Sequence, residues 1–224
     1  MNKTLLKVIE KIRAFLPHLY SLIRNKNKLF TIISNDCWGA EVYIDTNTQY
    51  LTPFVGLMLM APCYIKLLQN LEIIKTKKMT FIKKSKYQLN ISKSYPIGLI
   101  DNDIEIHFLH YRNEAEALSK WERRVKRMNW ENLFIKFDGS KDFATLEHLK
   151  EFEELPYKNK ICFVKEKYGD FNSVIKINEW DPDGKRMYRI CQKEFNVISW
   201  INNKETNTSG SLYRLFYFLL IKPI

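Results

Sequence analysis

The chain has 224 residues, 46% of them hydrophobic and 14% aromatic, which suits a packed core and excludes a disordered chain. With 36 Lys and Arg against 25 Asp and Glu, the net charge is +11, so the surface is expected to attract phosphates, anionic lipid or acidic glycans. Nucleic acid is set aside as a partner, because no helix-turn-helix, ribonucleoprotein aromatic motif or zinc-knuckle spacing accompanies that charge.

In "LLKVIEKIRAFLPHLYSLIR", Leu5, Val8, Ile12, Phe15 and Leu16 recur at helical spacing. The pattern predicts a basic amphipathic helix to about Phe15, ended near Pro17, that either packs on the domain or lies on anionic lipid. Lys7, Glu10, Lys11 and Arg13 make it too polar to span a bilayer. No secretory signal is read here, and Cys37, Cys63, Cys162 and Cys191 lack the paired spacing of a zinc site. Reduced thiols in the cytoplasm are therefore expected.

"KLFTIIS" is an apolar run that predicts a buried strand, and a helix is predicted to start after the Ser34–Asp36 turn, over Trp38–Asp45. Beyond Pro62, Ile65, Leu68 and Leu71 mark another helix. "YPIGLIDNDIEIHFLHY" holds a turn at Asp101–Asp103 and then a strand. From Asn113 the sequence predicts a helix with Asn113 as N-cap, Glu116 at the capping-box position and Arg123, Arg124, Lys126 and Arg127 at its end. "NLFIKF" and "NKICFVK" predict strands, with "DFATLEHLKEFEEL" as a helix between them. After Asp170 the pattern loosens into a Pro-Asp-Gly turn and short strands, read as a hairpin. The apolar "LYRLFYFLLIKPI" at the end is too short for a membrane span.

Strands alternating with helices imply an α/β fold: a mostly parallel sheet with helices on both faces, in one Rossmann-like domain with a C-terminal elaboration. The expected organisation is a helical segment over 1–27, the domain over 28–200 and an apolar segment over 201–224. Ligands of such sheets gather at the carboxyl ends of the strands. Ser34–Gly39, His110, Asp138 and Lys165 are all expected at such ends.

Cys37 is the candidate nucleophile. A thiol in a turn entering a helix can have a lowered pKa, and the same N–H groups can stabilise an oxyanion. Ser34, Asn35, Asp36, Trp38, Gly39 and Glu41 would form the binding loop: Asn35 as a donor, Gly39 for close approach of substrate, Glu41 to orient the site. Of the four histidines, His107 and His110 are best placed as general base, with His110 nearer the strand end. No metal motif is read: Asp101-Asn102-Asp103 and Asp181-Pro182-Asp183 are turns. The other three cysteines, Trp121 and Trp130 are expected to pack, and the Arg123–Arg127 cluster to face solvent.

"FTIISNDCWGAEVY", "TPFVGLMLMAPCYIKLL" and "YPIGLIDNDIEIHFLHYRNEAEALSKWERRVKRMNWENLFIKF" together resemble the bacterial DUF1919 family, over about Lys28–Trp200. Where that family usually reads Ser-Asn-Asn-Cys-Trp-Gly-Gly, this chain has Asp36 and Ala40 at the third and seventh places. The resemblance implies exopolysaccharide or capsule biosynthesis. Two functions are open. In one, the protein is an acyl or glycosyl transferase acting on a glycan or its precursor, with an anionic donor such as coenzyme A or a nucleotide sugar. In the other it binds glycan without chemistry or acts as a scaffold, offering Trp38, Tyr43 and Tyr95 to sugar. Either would work on the inner face of the membrane, beside anionic lipid or membrane-bound assembly enzymes.

Overall fold

A computed structural model describes residues 15, 18–88, 94–167, 169–181, 184 and 186–206. The expected N-terminal helix falls almost wholly outside them, as does the terminal apolar stretch. The chain divides into two compact units. Leu29–Ala40 and Tyr50–Lys176 form one, and Met1–Lys28, Glu41–Gln49 and Ile177–Ile224 the other.

The first unit carries both sheets. β1 (Thr31–Ser34), β5 (Leu133–Asp138), β6 (Lys160–Val164) and β7 (Val174–Lys176) form a parallel sheet in the order β1-β5-β6-β7. Ser34 lies opposite Lys136, and Asp138 opposite Phe163. β1, β5 and β6 are buried on both faces, which is why they read as continuous apolar runs. Ile33, Ile135 and Phe137 enter a core with Tyr64 of α3 (Ala61–Gln69) and Phe152 of α6 (Leu146–Glu154). Tyr64 donates its hydroxyl to the carbonyls of Ile33 and Lys136, both at 2.9 Å, tying α3 across β1 and β5. α4 (Ile73–Thr76) follows α3.

The other three strands correct the expectation of one mostly parallel sheet. β2 (Thr80–Ile82), β3 (Ile97–Ile100) and β4 (Ile104–His107) form a separate antiparallel sheet in that order. Asp101 and Asn102, both left-handed (φ 54° and 58°), fold β3 tightly back onto β4. Two polar residues that tolerate positive φ favour a hairpin over a helical crossover.

Helix caps follow local chemistry. The Asn113 side chain accepts from Glu116 N–H at the start of α5 (Glu114–Val125), while the Glu116 carboxylate accepts from Arg112 N–H rather than from its cap residue. α6 has a full capping box between Thr145 and His148. That accounts for His148 structurally.

The second unit is described as helices: α1 (residues 18–24), most of α2 (Trp38–Asp45), α7 (Met187–Glu194) and α8 (Val197–Asn203). The hairpin expected after Asp170 is instead β7, parallel, followed by α7 and α8. Met187, Tyr188, Ile190 and Cys191, then Val197, Ile198, Trp200 and Ile201, are buried at helical spacing, and that period outweighs the strand preference of Ile, Val and Trp. Within this unit Asp45 is buried and held by Arg189 through two contacts at 2.5 and 2.7 Å and by the Tyr188 hydroxyl at 2.9 Å.

Candidate functional site

The carboxyl ends of β1 and β5 gather five charged side chains, most of them buried. Asp36 follows β1. It accepts from the Ser34 hydroxyl at 2.8 Å and from Trp38 N–H at 3.1 Å, and so caps the first turn of α2. Its second oxygen meets the Lys136 ammonium at 2.8 Å and the Lys141 ammonium at 3.2 Å. Lys141 also reaches Asp138 at 3.3 Å and Asp142 at 3.9 Å. Lys136 and Asp138 alternate along β5 on one face, so strand register alone brings them beside the β1 loop. The Lys136 ammonium lies about 6 Å from the ring centroids of both Trp38 and Phe163, which are 5.5 Å from each other.

Asn35 joins the two strand ends through its side-chain oxygen, which accepts from Asp138 N–H at 2.8 Å. Its amide nitrogen is buried with no hydrogen-bond partner among the described residues, a costly state that a ligand oxygen or water would relieve. Asp142 and Phe143 are consecutive non-glycine residues in the left-handed region, with φ 54° and 64°. Such strain persists only where surrounding structure holds it, often at functional sites. Here Ala61 N–H donates to the Asp142 carbonyl at 2.8 Å.

These surroundings separate the acids. Burial opposes ionisation of Asp36, but Lys136 and Lys141 outweigh it and hold the carboxyl well below the usual range. Burial raises Asp138, and the two lysines only partly offset this. Asp142 is pushed up to about 6, by burial first and then by the neighbouring carboxylates against the pull of Lys141. Burial works against the Lys141 charge too, yet Asp36, Asp138 and Asp142 together keep it firmly protonated. The cluster thus holds one fixed anion, Asp36, two lysines, and two carboxyls, Asp138 and Asp142, whose pKa values burial raises. Among the described residues, no group of three or more His, Cys, Asp and Glu is arranged to hold a metal ion; the carboxylates converge on the Lys141 ammonium.

Beside the cluster, at the ends of β5 and β6, lies an open pocket of about 320 Å³. Gly139, Ser140, Thr145, Leu146, Lys165 and Glu166 are among its walls. Ser140 links the two features: its N–H donates to Asp138, and its hydroxyl oxygen accepts from Lys165 N–H at 2.7 Å.

A family model described as a domain of unknown function, DUF1919, matches residues 9–207. The chain belongs to the DUF1919 family. It is 33% identical over 190 residues to an uncharacterized protein of Haemophilus influenzae strain KW20/Rd, covering 79% of this chain and 86% of that one.

The DUF1919 loop Ser34–Gly39 sits where the sequence puts it, between a strand end and a helix. Cys37 directly precedes α2 and is half-buried, with Sγ 3.8 Å from the Leu57 carbonyl oxygen. Gly39 has a different role from the one expected: a Cβ there would come within 2.9 Å of Ile32 Cγ2 and 3.3 Å of Ser34 Cβ. Its missing side chain lets the chain entering α2 lie against β1 within the first unit. Glu41 is exposed and belongs to the helical unit.

His107 ends β4 and His110 lies in the turn that follows it; β4 is not a strand of the parallel sheet, so the argument from parallel strand ends does not reach them. His107 is fully buried, with Nδ1 3.2 Å from the Tyr95 hydroxyl and Nε2 3.3 Å from Glu105, and burial lowers its pKa against the pull of Glu105. His110 is exposed. The loop around Leu57 runs between this segment and Cys37: Met58 pairs with His107, Gly56 accepts from His110 N–H, and Leu59 N–H donates to Asn35. Trp38 is 3% exposed, and Tyr43 is buried as well, so neither ring faces solvent as a sugar platform.

Lys136, Lys141 and Asp142 were not among the residues picked from the sequence, and Asp138 was picked only by its strand end. Lys136 had a signal: a lysine inside an apolar run that reads as a buried strand requires a buried partner.

Proposed function

We propose that this protein is a group-transfer enzyme of surface-polysaccharide biosynthesis, acting on a glycan or glycan precursor at the carboxyl edge of the parallel sheet. The observation that carries this reading is the place of Asp142, a carboxyl pushed up to about 6, beside the Lys141 ammonium and next to the left-handed Phe143. Above pH 6 the carboxylate can take the proton of an attacking sugar hydroxyl, and Lys141 and Lys136 offset negative charge developing nearby. The pocket between Ser140 and Lys165 is of ligand size, and we assign the donor, either coenzyme A or a nucleotide sugar, to it. Support comes from the parallel order β1-β5-β6-β7, since ligands of parallel α/β sheets bind outside the carboxyl ends of the strands. If the donor is an acyl thioester, Cys37 is the acceptor: its thiolate takes the acyl group and releases coenzyme A. The sugar hydroxyl, deprotonated by Asp142, then displaces the thiolate.

The test is a donor screen with oligosaccharide acceptors, following release of free coenzyme A thiol or nucleoside diphosphate. Turnover that falls below about pH 6, and at least about a hundredfold in Asp142→Asn, is expected. Loss in Cys37→Ser would place the reaction in the acyl class, while retention there with nucleoside diphosphate release would make it glycosyl transfer. Unchanged turnover in Asp142→Asn, or no acceptor-dependent turnover with either donor class, would overturn the proposal.

A further inference from the structure

Charge is unevenly spread along the chain. Seven Lys and Arg and a single acid, Glu10, precede Asp36, so more than half of the net +11 lies in the first 35 residues. The described part of this region is α1 and its flanks. Ser21 and Asn25 are buried on one side of it, while Phe15, Leu22 and Ile23 are 55%, 38% and 70% exposed. Leu22 and Ile23 are adjacent on the exposed side of α1, and Phe15 precedes that helix in the chain. Arg24, Lys26 and Lys28 beside them are exposed and pair with no carboxylate among the described residues.

This exposure is held in place by the fold. The Asn202 side chain of α8 accepts from Lys26 N–H at 2.9 Å and Asn27 N–H at 3.1 Å, and donates to the Arg24 carbonyl at 2.8 Å. Asn27 donates in turn to the Ile201 carbonyl at 2.9 Å. The end of α1 is therefore fixed with its apolar side outward and cations at its rim.

We infer that this face of α1 docks onto an anionic lipid bilayer, with Leu22 and Ile23 entering the headgroup boundary and Arg24, Lys26 and Lys28 meeting lipid phosphates. Large apolar side chains rimmed by basic residues, without interspersed acids, match the two attractions of an interfacial helix. The surface is independent of the transfer site proposed above.

Co-sedimentation of the full chain with phosphatidylglycerol vesicles and with pure phosphatidylcholine vesicles, at about 0.1 M salt, tests it. Binding to the anionic vesicles alone is expected. Leu22→Ser with Ile23→Ser should lower partitioning about tenfold or more, and Arg24→Gln and Lys26→Gln about fivefold each. Ile23→Trp should raise it, a gain that a misfolded variant would not give. A wild-type chain that stays in the supernatant with anionic vesicles would overturn the inference, as would binding indifferent to residues 22 and 23. So would a concentration-dependent dimer that the double serine variant dissolves, since the face would then be covered by a second copy.

Discussion

The parallel and antiparallel sheets of the same unit each bury a carboxylate beside other ionisable groups, and they balance its charge in opposite ways. At the end of the parallel strands Asp36 is matched by two ammoniums, Lys136 and Lys141, and two more carboxyls crowd in, one of them titrating near 6. In the antiparallel sheet Glu105 accepts from the Ser85 hydroxyl at 2.5 Å and from Lys86 N–H at 2.7 Å, and lies 3.3 Å from Nε2 of His107, which burial keeps toward neutral. The first arrangement holds more charge than its own fold needs and has a pocket beside it. The second is closed by neutral donors, which is how a buried acid is satisfied when structure is its only task.

The comparison breaks most sharply at Lys136. Lys136→Met leaves Asp36 buried without its nearest cation, and a loss of about 3–5 kcal/mol at pH 7 is expected from urea unfolding. The gap from wild type should narrow below about pH 4. The folded pKa of Asp36 is depressed, so its stabilisation is present above the unfolded value and lost on acidification.

Asp142 has the opposite sign. Its folded pKa is raised from 3.8 to about 6, so the folded chain keeps a proton that the unfolded chain releases, and stability falls as pH rises through that window. Asp142→Asn should be more stable than wild type at pH 7, by at most about 3 kcal/mol, and equal to it near pH 4. Carbon NMR of the Asp142 carboxyl should give a midpoint near 6.

Glu105→Gln tests the antiparallel side, with an expected loss of about 2 kcal/mol at pH 7. His107 has a lowered folded pKa, so the stability it contributes is present above 6.5 and lost as pH falls below that value. Removing Glu105, which raises that pKa, should steepen the acid loss. Thermal melts between pH 7 and 5 check this. Asn113→Ala supplies the baseline of an exposed hydrogen bond in the same unit, with an expected loss of about 1 kcal/mol and little pH dependence.

Much of the fold was legible because its signals are local. The apolar run of β1, the turn into α2, Pro62 in the first turn of α3, the Asn113 cap and the runs of β5 and β6 all lie within a few residues of what they specify. α7 and α8 were misread where residue type and period disagreed. β4 was misassigned because its composition does not say which strand it will pair with. Of the site, the loop Ser34–Gly39 could be seen from its polar interruption of an apolar run.

The sequence by itself determined a basic, mixed α/β chain of the DUF1919 kind, with a polar loop at the end of its first strand and most of its helices. Only the tertiary structure decided that Asp36 faces Lys136 across 100 positions of chain, that Lys141 stands among three carboxyls, and that His107 belongs to a different sheet, with His110 in the turn after it. Strand pairing and register are long-range choices set by burying both faces of a sheet at once, and a side chain's charge state follows from the neighbours that choice supplies.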